Sequence, residues 1–176
     1  MTGARHLPRL AGCQAVALDF GGTISTGRED HVLAQKGVGA AAAAALHSLD
    51  QLGLRLILAS NALAGETRWP ALQAAGVDKL IKAALISYSL GVRKDDPLFY
   101  DLVITAAQCP APHVLFVGDS IAHDIRGPMR AGMQACLVRP HGLRPGESLP
   151  RGALLISHIR DLPVLLTSRP ALPERS

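Results

Sequence analysis

Four short stretches of this 176-residue chain carry residue types that could do chemistry together if folding joined them. Asp19 follows the apolar run Ala15-Val16-Ala17-Leu18 and opens Asp19-Phe20-Gly21-Gly22-Thr23. Ser60 and Asn61 follow a second apolar run. Lys94 stands just before Pro97, and Gly118-Asp119-Ser120 follows another apolar run, with Asp124 five residues after Asp119. A carboxylate can attack an electrophile or ligate a metal, while an ammonium and short hydroxyl or amide donors can hold an oxyanion. Three carboxylates in one place repel each other unless a cation sits among them. All-oxygen ligands suit a hard ion such as Mg²⁺.

These residues meet only if the elements before them lie side by side. Short apolar runs at 15–18, 54–59, 83–86, 114–117, 135–138 and 154–156 read as buried strands. They alternate with helical patterns expected at 37–52, 66–75, 97–108, 124–131 and 161–166. Ala40 to Ala45 is unbroken alanine, the strongest helix former, and Pro97 suits a helix's first turn. Such alternation implies a Rossmann-like three-layer α/β sandwich around a mostly parallel sheet. Right-handed crossovers then put every strand's C-terminal end on one edge, where sheets of this kind bind ligands. We expect one domain over residues 12–167, with residues 1–11 and 168–176 as flexible termini.

With the motifs so placed, the chain resembles the haloacid dehalogenase (HAD) superfamily. Asp19-Phe20-Gly21-Gly22-Thr23 looks like its nucleophile motif, Ser60 its second motif, Lys94 its third, and Gly118-Asp119-Ser120 with Asp124 its fourth. Any one of these is weak; four in order on strand ends are specific. The resemblance implies a Mg²⁺-dependent phosphatase in which Asp19 forms an aspartyl-phosphate. It implies that Ser60 and Lys94 hold the phosphoryl group, with Gly22, Thr23 and Asn61 adding donors. The metal would be held by Asp19, the Gly21 carbonyl and Asp119, with Asp124 either a ligand through water or a partner to Lys94.

One position departs from the family. Its phosphatases carry a second Asp two residues after the nucleophile, to protonate the leaving group and then activate water, whereas this chain has Gly21. A main-chain carbonyl survives that change; a general acid, typically worth about 10²–10⁴-fold, does not. His31 or His123 could stand in for that acid, since an unperturbed imidazole titrates near neutral pH; otherwise each is a polar side chain facing solvent. The alternative function is a non-catalytic protein that binds a phosphorylated ligand or a protein partner.

No cap domain fits the intervals between the motifs. The open site that results calls for a bulky phosphorylated substrate, or for a second copy of the chain, to cover it. The formal net charge is +4, but the arginines form no run, and with aromatics at 3% a base-stacking surface is not expected. No apolar run is long enough to cross a membrane, and Met1 to Arg9 shows no leader pattern. Cys13, Cys109 and Cys136 are odd in number and lack metal spacing, which fits a cytoplasmic setting. Gly37-Val38-Gly39-Ala40-Ala41-Ala42 matches a dinucleotide fingerprint but reads as a close-packed helix start.

Overall fold

The computed structural model describes residues 10, 12–33 and 35–167; the expected flexible termini lie almost wholly outside them. Six strands form one parallel sheet: β1 (Ala15–Leu18), β4 (Arg55–Ser60), β5 (Ile81–Ile86), β6 (Val114–Gly118), β7 (Gln134–Val138) and β8 (Leu154–Ile156). Their spatial order is β5-β4-β1-β6-β7-β8. The chain builds leftward from β1 and then crosses to its right side. That leaves a crevice at the C-terminal ends of β1 and β6. In register, Leu18 pairs with Leu58 and Val117, so the residues after it lie level with the ends of β4 and β6.

β1 is buried along its whole length because helices cover both faces. Its side chains alternate. Val16 and Leu18 join one core with α1 (Ala40–Gln51), α2 (Trp69–Ala74) and α6 (Leu162–Thr167). Ala15 and Ala17 join the other, with Phe99, Tyr100 and Val103 of α4 (Pro97–Ala107). The first strand and α4 therefore follow the expected pattern. Asp96 caps α4 by accepting from the Leu98 N–H at 2.9 Å, with Pro97 in the first turn. A short α3 (Ser87–Leu90) follows β5. No helix among the described residues is long and apolar enough to cross a membrane.

Three expectations need correction. The expected 37–52 helix begins only at Ala40, because residues 35–38 form β3 (Gln35–Val38), which pairs antiparallel with β2 (Ser25–Asp30). This hairpin is polar and mostly exposed, so it carries no apolar alternation for a reader to find. The expected 66–75 helix is shortened to Trp69–Ala74, since residues 63–66 close a turn first. The expected 124–131 helix begins earlier, as a π-helical turn at Ile121–Arg126, and continues as α5 (Gly127–Arg130).

α5 packs on α4 at a glycine. A β-carbon on Gly127 would sit 2.1 Å from the Tyr100 hydroxyl oxygen and 2.3 Å from its ring carbon. The ring stands edge-on to Phe99 and Phe116 and its hydroxyl faces the Lys94 and His123 carbonyls, so it gives way only by losing those contacts. Gly127→Ala should therefore lower the unfolding free energy by about 1–3 kcal/mol through overpacking, measured by urea denaturation. An unchanged midpoint would show that the α4–α5 contact yields freely.

Candidate active site

The β1 ladder runs one residue past the strand, because the Asp19 N–H donates to the Val117 carbonyl at 2.9 Å. That bond aims Asp19 into the crevice beside β6. The chain then turns tightly, with the Ile24 and Ser25 N–H groups returning to the Phe20 carbonyl at 3.2 and 3.0 Å. Gly22 makes the turn at φ +66°, and a β-carbon there would lie 2.2 Å from the Asp119 carboxylate. Gly118 likewise leaves the notch occupied by Asp124, whose carboxyl carbon would be 2.2 Å from an added β-carbon. Two glycines thus make room for two carboxylates.

The residues expected to meet do meet. Oxygens of Asp19, Asp119 and Asp124 lie within 4.8 Å of one another. The Lys94 ammonium is 2.6 Å from Asp19 Oδ1 and 2.8 Å from Asp124 Oδ1, and its side chain is 3% exposed. Asp124 is engaged at both oxygens, since its Oδ2 accepts from the Ser120 N–H at 2.9 Å. The π-helical turn places it there, with the Asp124 N–H donating to the Ser120 carbonyl at 2.7 Å. Asp124 is in geometry the partner of Lys94. Ser60 is buried at the end of β4, and its hydroxyl donates to the Asn61 carbonyl at 3.1 Å. The Asn61 side-chain oxygen accepts from the Lys94 N–H at 3.1 Å, tying the second loop to the third. The Thr23 hydroxyl lies 3.5 Å from the Gly21 carbonyl, and the Gly22 N–H donates to Ser25 Oγ at 3.3 Å.

Neither candidate substitute acid joins this cluster. His31 is exposed beside the β2–β3 hairpin. The His123 ring lies 3.5 Å from Ser120 Oγ and lines a cavity of about 540 Å³ between α4 and α5. Gly21 has open space: a β-carbon there would meet only Asp19 Oδ2, at 3.9 Å.

Two residues of the site carry no sequence signal. The Tyr100 hydroxyl lies 2.5 Å from the Lys94 carbonyl and 2.7 Å from the His123 carbonyl, so one phenol spans the segments that deliver Lys94 and Asp124. Arg68 places its guanidinium 4.7 Å from the Phe20 ring centroid. Only the packing of α4 on α5, and of the second loop on the first, brings these groups into place.

Three carboxylates face one ammonium, and the titration behaviour shows the imbalance. Burial pushes the Asp19 carboxyl up to about 6; Lys94 opposes the rise, while Asp124 and Asp119 add to it. Burial and then Asp124 also raise Asp119, against the pull of Arg139 and Lys94. Burial alone would lower the Lys94 pKa, but Asp19 and Asp124 outweigh it and hold the ammonium charged. A surplus of buried negative charge, two glycine notches and an all-oxygen donor set fit a hard divalent cation.

The sign of the pH effect follows. With a folded pKa near 6 against an ordinary 3.8, Asp19 binds a proton more tightly in the folded state. Its contribution is fully present below the lower value and is lost as pH rises through the upper one. Without divalent metal, Asp19→Asn should therefore gain stability over the wild type between about pH 4 and pH 7.5. Urea midpoints in a chelating buffer at both pH values measure this. A gap that does not widen with pH would mean that Asp19 is not held against its charge.

The family model for haloacid dehalogenase-like hydrolases matches residues 33–132, more than half of the chain, a stretch that holds Ser60, Lys94, Asp119 and Asp124 and begins after Asp19. A phosphoserine phosphatase of Thermus thermophilus is 30% identical over 110 residues, 62% of this chain and 43% of that protein. The matched part thus spans less than half of that relative. Among solved structures, an uncharacterized protein from Listeria monocytogenes serotype 4b superposes with TM-score 0.73 at 24% identity, covering 87% of this chain and 96% of that one. A HAD phosphatase from Thermococcus onnurineus gives 0.72 at 17% identity, covering 88% and 98%. The putative HAD-hydrolase YfnB from Bacillus subtilis, bound to magnesium, gives 0.65 at 23% identity, covering 74% and 57%. With the family model spanning most of the strand-end residues gathered in the crevice, this chain belongs to the haloacid dehalogenase-like hydrolases.

Proposed function

We propose that the chain is a Mg²⁺-dependent phosphatase acting through Asp19. The observation that carries this reading is the Lys94 ammonium bonded to Asp19 and Asp124 beside a third carboxylate, Asp119. Asp19, Asp119 and the Gly21 carbonyl would hold the ion, with Asp124 acting indirectly through Lys94. Bound Mg²⁺ supplies positive charge that offsets the carboxylates and the phosphoryl oxygens. The magnesium named with the YfnB structure is consistent with this donor set.

Each residue's work follows from its place. Lys94 takes Asp19 Oδ1, which leaves Oδ2, on the Gly21 side, as the attacking oxygen. A bond forms between Oδ2 and phosphorus as the ester oxygen departs with its electron pair. Water then attacks phosphorus, releasing phosphate and restoring the Asp19 carboxylate. Ser60, turning from the Asn61 carbonyl, and the Asn61 N–H hold phosphoryl oxygens. Lys94 remains protonated throughout and keeps the nucleophile ionised. Gly21 gives no proton to the leaving group, so that proton comes from solvent. The phosphoserine phosphatase relative points to phosphate monoesters as the substrate class.

We take residues 12–167 as one domain without a cap, its site covered by a bulky phosphorylated substrate or by a second copy of the chain. A second reading is phosphate-ligand binding without turnover, and Gly21 is the observation that favours it.

Phosphate release from 4-nitrophenyl phosphate with Mg²⁺ tests the first reading. Asp19→Asn should abolish release while leaving the far-ultraviolet spectrum intact; persistent release would remove Asp19 as nucleophile. Gly21 is not in the left-handed region and has room for a side chain, so Gly21→Asp should fold normally. On a simple alkyl phosphate, whose alkoxide is a poor leaving group, it should raise kcat by about 10²-fold by supplying the acid. A variant that folds and turns over no faster would show that proton delivery does not limit the enzyme. Mg²⁺ should raise Tm more at about pH 7.5 than at about pH 5, because protons compete for Asp19. Equal shifts at both would place the ion elsewhere.

A further inference from the structure

Two non-glycine residues among those described have a left-handed backbone, Gln108 at φ +57° and Arg68 at φ +67°. Gln108 ends α4, where that conformation is common. Arg68 precedes the first turn of α2, where the backbone is normally extended and a side-chain oxygen caps the helix. Arg68 offers no such cap. Helix chemistry therefore does not ask for this conformation, and bulky residues resist it.

What the conformation achieves is the placement of the guanidinium. Arg68 Nη2 pairs with Glu66 Oε2 at 2.9 Å and donates to the Asn61 carbonyl at 3.3 Å. The guanidinium carbon stands 4.7 Å from the centroid of the Phe20 ring. Glu66 is itself tethered, accepting from the Leu63 N–H at 3.0 Å. The side chain is 11% exposed, so its contacts form with little water between them. Phe20 is the residue after Asp19, and Asn61 is the residue after Ser60. Arg68 thus touches the first loop through an aromatic face and the second through a carbonyl. Asn61 carries the connection on to the Lys94 N–H.

We propose that Arg68 is a positioning residue that locks the Asp19 loop to the Ser60–Asn61 loop, setting the distance between the attacking carboxylate and the groups that hold the phosphoryl oxygens. Its kinetic consequence rests on the phosphatase reading; the clamp itself does not. Arg68 touches no reacting atom and acts through Phe20 and Asn61. A cation over an aromatic ring, desolvated and hydrogen-bonded, is strong enough to hold two loops that share no strand bond past Leu18 and Ser60.

The decisive variant is Arg68→Gly, because glycine adopts the left-handed backbone without strain while deleting the guanidinium. Arg68→Asn, which also tolerates that backbone, serves as the second variant. In both, Tm should hold or rise, while amide exchange at residues 20–24 and 61–63 accelerates. With Mg²⁺ and 4-nitrophenyl phosphate, kcat should fall about tenfold, with KM changing less. Guanidinium chloride at low millimolar concentration should restore part of kcat, and sodium chloride at equal ionic strength should not. Wild-type exchange rates in both variants would overturn the clamp. So would faster exchange accompanied by an equal fall in Tm and no rescue, which marks a purely structural role. If the wild type releases no phosphate, the phosphatase reading falls, and the exchange measurement alone decides for or against Arg68.

Discussion

A lysine ammonium shut away from water has to be matched by carboxylates within hydrogen-bond reach, and the rest of this structure is arranged around that requirement. Lys94 is bonded to Asp19 and Asp124, which come from different strand ends. Breaking such a pair strands a buried charge, which typically costs about 3–5 kcal/mol. The three segments are thereby tied to one another. The same charge opposes the burial of Asp19 and its carboxylate neighbours, which even so leave its pKa raised to about 6. Without Lys94, a nucleophile so placed would be protonated near neutral pH. The ammonium also lies 5.2 Å from the Phe116 ring centroid, so the floor beneath it is the sheet core itself.

What delivers the charges is the parallel sheet. In β1 both faces are apolar, and the first polar side chain appears where the strand runs out. That is why an apolar run followed by Asp, Ser or Gly-Asp was enough to locate Asp19, Ser60 and Asp119. Strand order was not readable in that way, yet it decides that β1 lies between β4 and β6 and so brings the three ends together. The glycines at 22 and 118 were readable as motif letters. Their physical reason, room for the Asp119 and Asp124 carboxylates, needed coordinates.

Where the reading ran short, the cause was contact between distant elements. The β2–β3 hairpin is built from polar residues, and its Ser-Thr-Gly-Arg-Glu-Asp stretch offers no apolar periodicity to detect. Tyr100 is by burial one more core aromatic of α4; its hydroxyl matters because the Lys94 and His123 carbonyls converge on it. Arg68 was one of many scattered arginines. Its left-handed backbone is invisible in a sequence, because only Gly, Asn or Asp would have advertised one. Asn61 was expected to offer its backbone N–H to a phosphoryl oxygen; the structure adds that its side-chain oxygen accepts from the Lys94 N–H, a link between two loops that no spacing announces.

The absence of a carboxylate at position 21 has a consequence for chemistry that follows from space and charge alone. Among the described residues, a β-carbon at position 21 would meet Asp19 Oδ2 alone. Neither histidine near the site bonds to the cluster, so among the described residues no neutral acid faces the departing oxygen. A leaving group must then depart as an anion or take its proton from water. Departure as an anion is easy for a weakly basic oxygen, such as that of a phenol or a carboxylic acid, and hard for a simple alcohol. On the proposed reading the open pocket therefore selects by leaving-group basicity rather than by shape. Water that fills the space left by Gly21 can also attack the phosphorylated Asp19, but without a base to activate it. Both halves of the reaction lose help at the same position, so a single side chain restored there would act on both.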